Sequence, residues 1–296
     1  MLTLIADSGS TKTDWALTGI DPSPRRVPAA TRFHTQGINP IHQSDNEIRQ
    51  ILHQELLPYL STENVSHVYF YGSGVRPEKE ATVAQLLREM FSCAEVVEAH
   101  SDLLGAARAL CGHNYGIASI LGTGANSCLY DGENVLQHTP ALGYILGDEG
   151  SGAVLGKRFL HDLYCGLLSE DLKAEFEKNT KLTLPEIINR VYRQPLANRF
   201  LASLTEFIHD HLSDPAVEDL VRQSFIDFIR IYIAPYEHQN LPLSFVGSIA
   251  HYFTDQLSEA VKSEGYTLGT ILRNPIEGLV EYHRRRRHKD RPLPRA

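Results

Sequence analysis

A short stretch near the start of the chain combines small residues, hydroxyls, a lysine and an acid. The residues from Asp7 to Thr13 read Asp-Ser-Gly-Ser-Thr-Lys-Thr. In tight turns built from Gly, Ser and Thr, backbone N–H groups can approach phosphate oxygens because no bulky side chain intervenes. The carboxylate of Asp7 could hold Mg²⁺ through water molecules. On its own, the stretch fits a plain hairpin turn as well as a phosphate-binding loop.

A second stretch of small residues, Gly122-Thr123-Gly124, has a similar setting. It lies between the apolar segments 116–121 and 126–130, which predict two strands joined by a turn, as segments 2–6 and 14–18 do for the first stretch. Neither stretch is a Walker A motif, in which Gly-Lys-Ser/Thr opens a helix. Two such turns at matching points of two similar halves are much less expected by chance than either turn alone. The pattern therefore predicts two loops that face each other across a cleft.

Phosphoryl transfer to a hydroxyl also needs a carboxylate that orients and deprotonates the attacking group. Asp102 is the best candidate, because it follows a predicted strand over residues 95–98 and lies near the predicted cleft. Capping of the following helix by Ser101 or Asp102 is the alternative, and the two roles can coexist.

Two further polar positions could recognise a substrate. Asp148 lies in the run Gly-Asp-Glu-Gly-Ser-Gly, residues 147–152, at a predicted helix start. Its carboxylate could accept hydrogen bonds from sugar hydroxyls, or it could simply complement the helix dipole. Asn39, in Gly-Ile-Asn-Pro, could bind a sugar in the same way or shape a turn.

The elements that must position these residues predict an α/β chain in which a hairpin, strands and helices occur twice. We expect an N-terminal domain over residues 1–112 and a C-terminal domain with a helical insertion over 113–296, with a hinge near 111–116. The last helix could pack back on the first domain. Apolar periodicity, capping signals and turn residues predict helices over 44–60, 77–91, 103–110, 152–164, much of 170–238, from 250 onward and over 276–288, and strands over 68–71, 95–98, 134–138 and 243–246.

Composition limits the class of protein. The chain has 296 residues and a net charge of -8, which argues against general affinity for nucleic acid. No apolar run reaches membrane-spanning length and no signal peptide is evident, so a cytoplasmic protein is expected. The four cysteines have no CxxC spacing, which predicts neither a disulfide framework nor a metal cluster.

Three stretches together resemble the BadF/BadG/BcrA/BcrD ATPase family and, within it, the N-acetylglucosamine kinases. They are residues 5–13, 121–127 and 146–152, of which the third is the most specific. That family belongs to the actin/hsp70/sugar-kinase superfamily. The resemblance covers nearly the whole chain and implies two ribonuclease-H-like (actin-like ATPase) domains around an interdomain cleft for ATP and a sugar.

The resemblance also implies roles for the matching positions and an activity, the ATP-dependent phosphorylation of an amino-sugar hydroxyl, most simply that of N-acetylglucosamine. Asp102 matches the catalytic base, and Asp7 would lie near Mg²⁺. No nucleic-acid or membrane partner is expected, and a homodimer is left open. The residues expected to contact ATP are Ser10, Thr11, Lys12, Thr123, Gly247 and Ser248. The residues expected to contact the sugar are Asn39, Asp102, Ala125, Asn126, Leu142, Gly143 and Asp148.

The chain departs from the animal N-acetylglucosamine kinases at Leu142. Those enzymes have Gly-Trp-Gly where this chain has Ala-Leu-Gly, so an apolar surface near the sugar is missing. N-acetylmuramic acid and glucosamine are therefore alternative substrates. An ATPase activator of a 2-hydroxyacyl-CoA dehydratase is an alternative of another class, disfavoured because no cysteine lies in a cluster motif. A sugar-responsive repressor is disfavoured because the strand predicted from residue 2 leaves no room for an N-terminal helix-turn-helix.

Overall fold

A computed structural model of the protein describes residues 2–9, 11–19 and 30–289. The chain divides into two compact units. The first unit contains Met1–His113 together with Pro275–Ala296, and the second contains Asn114–Asn274. Within the described residues, no helix has the length and apolar character needed to cross a membrane.

The first unit is built on a mixed five-stranded sheet in the order β3-β2-β1-β4-β5. The pairs β1–β2 and β2–β3 are antiparallel, whereas β1–β4 and β4–β5 are parallel. Its strands are β1 (Leu2–Ser8), β2 (Lys12–Gly19), β3 (Thr31–Gln36), β4 (Val65–Gly72) and β5 (Val96–Ser101). Its helices are α1 (Asp45–Ile51), α2 (Pro77–Met90), α3 (Asp102–Cys111) and the final helix, α13 (Ile276–Lys289).

Alternation along the strands divides the apolar side chains of this sheet between its two faces, since successive side chains of a strand point in opposite directions. Leu4 and Ala6 of β1 pack in one buried cluster with residues of α1 and α2. Ile5, between them, packs in another with Ile276 and Leu279 of α13. Helices therefore cover both faces of the sheet, and the ends of the strands are left as the place for polar functional residues.

The second unit repeats this topology. Its sheet has the order β10-β9-β6-β7-β8, in which β6–β7 and β7–β8 are antiparallel and β6–β9 and β9–β10 are parallel. The strands are β6 (Gly116–Leu121), β7 (Ala125–Tyr130), β8 (Val135–Gln137), β9 (Leu243–Val246) and β10 (Leu268–Leu272). The prediction of an α/β fold with two ribonuclease-H-like sheets is thus confirmed.

A long helical segment separates β8 from β9 and forms most of the second core. A π-helical turn (Ile229–Ile233) and a 3-10 turn (Ala234–Tyr236) end this segment, and two more helices follow β9. The helices of this unit are α4 (Gly143–Leu146), α5 (Gly152–Tyr164), α6 (Glu170–Thr180), α7 (Leu184–Tyr192), α8 (Ala197–Ser203), α9 (Thr205–Asp210), α10 (Pro215–Phe228), α11 (Ser248–Tyr252) and α12 (Thr254–Ser263).

Several predicted element boundaries need correction. Strand β1 continues through Ser8 and β2 already begins at Lys12, so the two strands are longer than predicted and fewer residues separate them. Strand β5 extends to Ser101, directly before α3. The capping box predicted at Ser44 and Glu47 is confirmed. Strands β3 and β10 were not predicted, and both lie at the edge of their sheet.

Candidate active site

The hairpin between β1 and β2 is fixed by buried hydroxyl groups. The Oγ of Ser8 lies 2.7 Å from Oγ1 of Thr13 and donates to the Ile38 carbonyl at 3.0 Å. The Ile38 N–H in turn donates to Oγ of Ser8 at 2.9 Å. Two of the predicted hydroxyls are therefore occupied in holding the hairpin against residues 36–38. Thr11 and Lys12 are exposed, and Ser10 lies outside the described residues.

A row of polar side chains crosses strands β2 and β3. Asp14 on β2 pairs in register with His34 on β3, and Nδ1 of His34 lies 2.6 Å from Oδ1 of Asp14. The Nζ of Lys12 donates to the same carboxylate at 3.0 Å. The carboxylate is almost buried, whereas the Lys12 side chain remains 60% exposed. Asp14 thus anchors an ammonium group that still faces solvent.

Asp7 lies on β1 in a strongly perturbed environment. Burial raises its pKa from 3.8 to about 7, and repulsion from the carboxylates of Asp102 and Asp14 adds to the rise, while Lys12 opposes it. Perturbed carboxyl groups of this kind are concentrated at functional sites. The three acids form an electrostatically strained group near the ends of β1 and β5.

Asp102 is the first residue of α3, directly after β5. Ser101 is the N-cap, and its Oγ accepts the N–H of Leu104 at 3.2 Å. The Oδ1 of Asp102 accepts the Leu103 N–H at 2.8 Å. Burial raises the pKa of Asp102, and the backbone N–H groups that its carboxylate accepts oppose the rise. Ser101 and Asp102 therefore both accept backbone N–H groups at the start of α3. The Asp102 carboxylate can still accept a hydrogen bond from another donor.

Asn39 is held in a compact loop after β3. Its Oδ1 accepts the N–H of Ile41 at 3.0 Å, and its own N–H donates to Oε1 of Gln43 at 2.7 Å. Gly74 packs against its amide so closely, with φ of 81°, that a Cβ there would collide with Oδ1. No function was predicted for the turn over residues 72–74, although the Gly-Ser-Gly run after a strand was a visible signal.

In the second unit, the loop over residues 122–124 is fastened to the start of α5. The Gly152 N–H donates to the Gly122 carbonyl at 2.8 Å, and the Ala153 N–H donates to the Thr123 carbonyl at 3.1 Å. The loop carbonyls therefore point toward the helix. Thr123 itself is partly exposed.

Gly247 brings the end of β9 against the same loop. Its φ of 129° and its contact with the Leu121 carbonyl leave no room for a Cβ. Ser248 follows as the exposed first residue of α11. Because β6 and β9 are parallel neighbours, their carboxyl ends lie at one edge of the sheet, where ligands bind in open α/β sheets. The structure thus brings Thr123, Gly247 and Ser248 together.

Asp148 is buried, with 8% of its surface exposed, and has a left-handed backbone with φ of 63°. Its carboxylate accepts hydrogen bonds from the N–H groups of Ala125 and Gly143. Burial raises its pKa and these two bonds oppose the rise. Asp148 therefore gathers Ala125 and Gly143 around one carboxylate, while the neighbouring Leu142 is 58% exposed.

Asn126 lies beside this group on β7. Its Oδ1 accepts the Ser127 N–H at 3.0 Å and lies 2.9 Å from Nε2 of His138. With the ring proton on Nε2, this contact fixes the amide so that its NH₂ group is the part left to donate. His138 was not among the predicted residues, because a single histidine at the end of a predicted strand carries no signal.

No group of three or more His, Cys, Asp or Glu side chains that could hold a metal ion occurs in the described part of the chain. The chemistry of Asp7 nevertheless fits Mg²⁺, which usually keeps several waters and is bound through one or two carboxylates together with substrate phosphates.

Comparisons with known proteins place this arrangement in a class. No family model matches the chain, and no curated protein matches it significantly. Solved structures do match it, and among them are two crystal structures of proteins named as putative N-acetylglucosamine kinases. The protein from Porphyromonas gingivalis is 45% identical, with a TM-score of 0.90, and the match covers 96% of this chain and 99% of that one. The protein from Chromobacterium violaceum is 19% identical, with a TM-score of 0.68 over 95% and 98%, and shows the fold alone.

The two sheets of identical topology, with small-residue turns and acids at the strand ends, define an α/β protein with the actin-like ATPase fold. The identity to the Porphyromonas gingivalis kinase, over nearly the full length of both chains, shows more. The chain belongs to the family of that kinase, and it is a phosphotransferase with an alcohol group as acceptor.

Proposed function

We propose that the protein transfers the γ-phosphoryl group of ATP to a hydroxyl of an amino sugar, with N-acetylglucosamine as the first candidate. The observation that carries the proposal is the desolvated Asp102 carboxyl at the junction of β5 and α3, near the strained Asp7. The 45% identity to a protein named for this activity supports it. We also assign the chain to the BadF/BadG/BcrA/BcrD ATPase family on its three sequence motifs.

Asp102 acts as the general base of the proposed reaction. Its raised pKa makes the ionised carboxylate a stronger proton acceptor than an ordinary aspartate. As the sugar oxygen bonds to the γ-phosphorus, the hydroxyl proton passes to Asp102 and the bond to the β-phosphate oxygen breaks, releasing ADP. The hydrogen bond from the Leu103 N–H fixes one carboxylate oxygen, so the group is oriented before the substrate binds.

Residues around the strand ends are proposed to hold the nucleotide. Thr11 and Lys12 contact phosphate oxygens, and Asp14 keeps the Lys12 ammonium in place. Thr123 is proposed to contact phosphate as well, and Gly247 and Ser248 are proposed to lie by the adenosine. Mg²⁺, when bound with ATP, would neutralise phosphate charge. Asp7 would hold it through water, which would also relieve the repulsion among the acids of the first unit.

The sugar is proposed to be recognised by polar groups whose directions are already set. Asp148 retains lone pairs beyond the two that Ala125 and Gly143 engage, and the Asn126 amide nitrogen is directed as a donor. Asn39 adds a second amide held by its own loop. Leu142 stands where the animal kinases have Trp, and the smaller side chain leaves room for the lactyl group of N-acetylmuramic acid. Glucosamine, which lacks the acetyl group, is the other alternative substrate.

A panel of sugars assayed for ADP release tests the proposal. N-acetylglucosamine, N-acetylmuramic acid, glucosamine and glucose are compared with a blank that contains no sugar, and the phosphorylated product is identified by mass spectrometry. We expect an N-acetylated amino sugar to give the highest kcat/KM. Failure of every sugar to raise ADP release above the blank would contradict the proposed function.

A further inference from the structure

Tyr232 connects two parts of the proposed sugar site. It lies in the π-helical turn that continues α10, and its phenol oxygen accepts the Asp148 N–H at 3.0 Å. The same hydroxyl donates to Oε2 of Glu149, also at 3.0 Å. The Tyr232 hydroxyl thus accepts the backbone N–H of Asp148 and is oriented by the side chain of Glu149.

The backbone of the same residue is tied to the other side of the site. The Tyr232 carbonyl accepts hydrogen bonds from Oγ of Ser127 at 3.2 Å and from Oγ1 of Thr139 at 3.1 Å. Ser127 follows Asn126 on β7, and Thr139 follows His138. These two hydrogen bonds fix the backbone of the turn that carries Tyr232.

The conformation of Asp148 explains why such a contact is needed. A non-glycine residue with φ of 63° persists only where its surroundings hold it, and a buried N–H without an acceptor is costly. The Tyr232 hydroxyl supplies that acceptor. It also packs so closely on Gly147 that no Cβ fits there, which fixes the chain on the other side of Asp148.

We propose that Tyr232, oriented by Glu149, is a positioning residue that holds the Asp148 carboxylate in the geometry required for sugar binding. The proposal rests on the proposed function, because it assigns Asp148 to the sugar. Tyr232 acts through Asp148 and takes no part in proton or phosphoryl transfer.

The Tyr232→Phe variant tests this role, because it removes the hydroxyl and keeps the ring that stacks on Phe228. We expect the KM for the sugar to rise about tenfold or more, while the KM for ATP stays within about twofold. Hydrogen exchange at the Asp148 amide, measured without ligands, should accelerate about tenfold or more. Tyr164→Phe is the matched control, since it deletes a phenol–carboxylate hydrogen bond of 3.1 Å to Glu177 on other helices.

Variants of Glu149 separate positioning from general stability. Glu149→Gln keeps an acceptor for the phenol and should preserve the sugar KM within about threefold, whereas Glu149→Ala should raise it further. This pair decides the proposal if Tyr232→Phe does not fold. An unchanged sugar KM and unchanged Asp148 exchange in Tyr232→Phe would overturn it. If the wild-type protein phosphorylates no sugar, the proposed function fails, and the exchange comparison alone still decides whether Tyr232 positions Asp148.

Discussion

The two units share one strand order and yet place their carboxylates in different environments. The first unit gathers Asp7, Asp14 and Asp102 near its strand ends, where burial and mutual repulsion raise the pKa of Asp7 to about 7. The second unit has one buried acid, Asp148, whose carboxylate is held by two backbone N–H groups. The same scaffold thus supports a group of mutually repelling acids in one half and a single acid beside two backbone N–H groups in the other.

The topology shows where the two halves diverge. The two hairpins can be aligned by their last strand pairs, Ser8–Thr13 and Leu121–Ala125. In this alignment Asp7 corresponds to Ile120, and Asp14 corresponds to Asn126. Asp102 follows the edge strand β5, whereas the equivalent strand β10 is followed by Arg273. Asp7, Asp14 and Asp102 therefore have no acidic counterpart at the matching positions of the second unit.

The largest expected effect tests this division directly. Asp102→Asn removes the proposed base but keeps an oxygen that can accept the Leu103 N–H, so α3 should still begin correctly. We expect kcat to fall by about 10²–10⁴-fold with little change in ATP affinity. Steady-state kinetics together with nucleotide titration and a thermal melt would measure this.

Asp148→Asn is the counterpart in the second unit. It should act mainly on the KM for the sugar, because its carboxylate is assigned to binding and not to proton transfer. The comparison between the units breaks down if Asp148→Asn lowers kcat as much as Asp102→Asn does, or if Asp102→Asn leaves turnover unchanged.

A second effect concerns the stability that the folded protein loses when Asp7 ionises. Its folded-state pKa of about 7 lies above the ordinary value of 3.8, so between these pH values the folded protein binds more protons than the unfolded chain. The free energy of unfolding should therefore decrease as pH rises from 4 through 7, by up to about 4 kcal/mol. Asp7→Asn should melt at a higher temperature than the wild type at pH 8, with a smaller difference at pH 5, although Mg²⁺-dependent turnover is lost.

The sign of this effect has an internal control at Asp131, in the turn between β7 and β8. Hydrogen bonds from the N–H groups of Asn134 and Glu133 lower the pKa of its carboxyl, the opposite direction. Asp131→Asn should therefore bring no gain in stability at pH 8. Melting curves of the three proteins at both pH values decide the point, and a wild-type protein more stable at pH 8 than Asp7→Asn would contradict it.

The sequence predicted all interior strands of the two sheets and the edge strands β5 and β8, but not the edge strands β3 and β10. The strands β1, β4, β6 and β9 were predicted because they are short apolar runs that end in small residues. The edge strands β3 and β10 were missed because they are only partly buried, so their residues lack a clear alternation. Gly269 within β10 weakens the strand pattern further, although it is required by the close approach of Ser244.

The candidate site shows a similar limit. Motif residues such as Asp7, Asp102 and Asp148 could be named from local patterns and the family resemblance. The groups that orient them could not, since they are distant in sequence: Tyr232 contacts the Asp148 N–H across 84 positions, and Gly74 packs against Asn39. Such contacts depend on tertiary packing and leave no periodic signal in the chain.

The smallest expected effect concerns the serine caps of two helices, the one that begins with Asp102 and the one that begins shortly after Asp148. Ser101 caps α3 and Ser151 caps α5, and each Oγ accepts a backbone N–H at 3.2 Å. Replacing either serine by alanine should lower the free energy of unfolding by about 1 kcal/mol.

In α5 the loop carbonyls of residues 122 and 123 still accept hydrogen bonds from two further N–H groups. Ser151→Ala should therefore change stability but barely change kcat, whereas Ser101→Ala should lower kcat as well, because Asp102 loses the residue that fixes its helix start. Equal kinetic effects of the two substitutions would show that the position of the base does not depend on its cap.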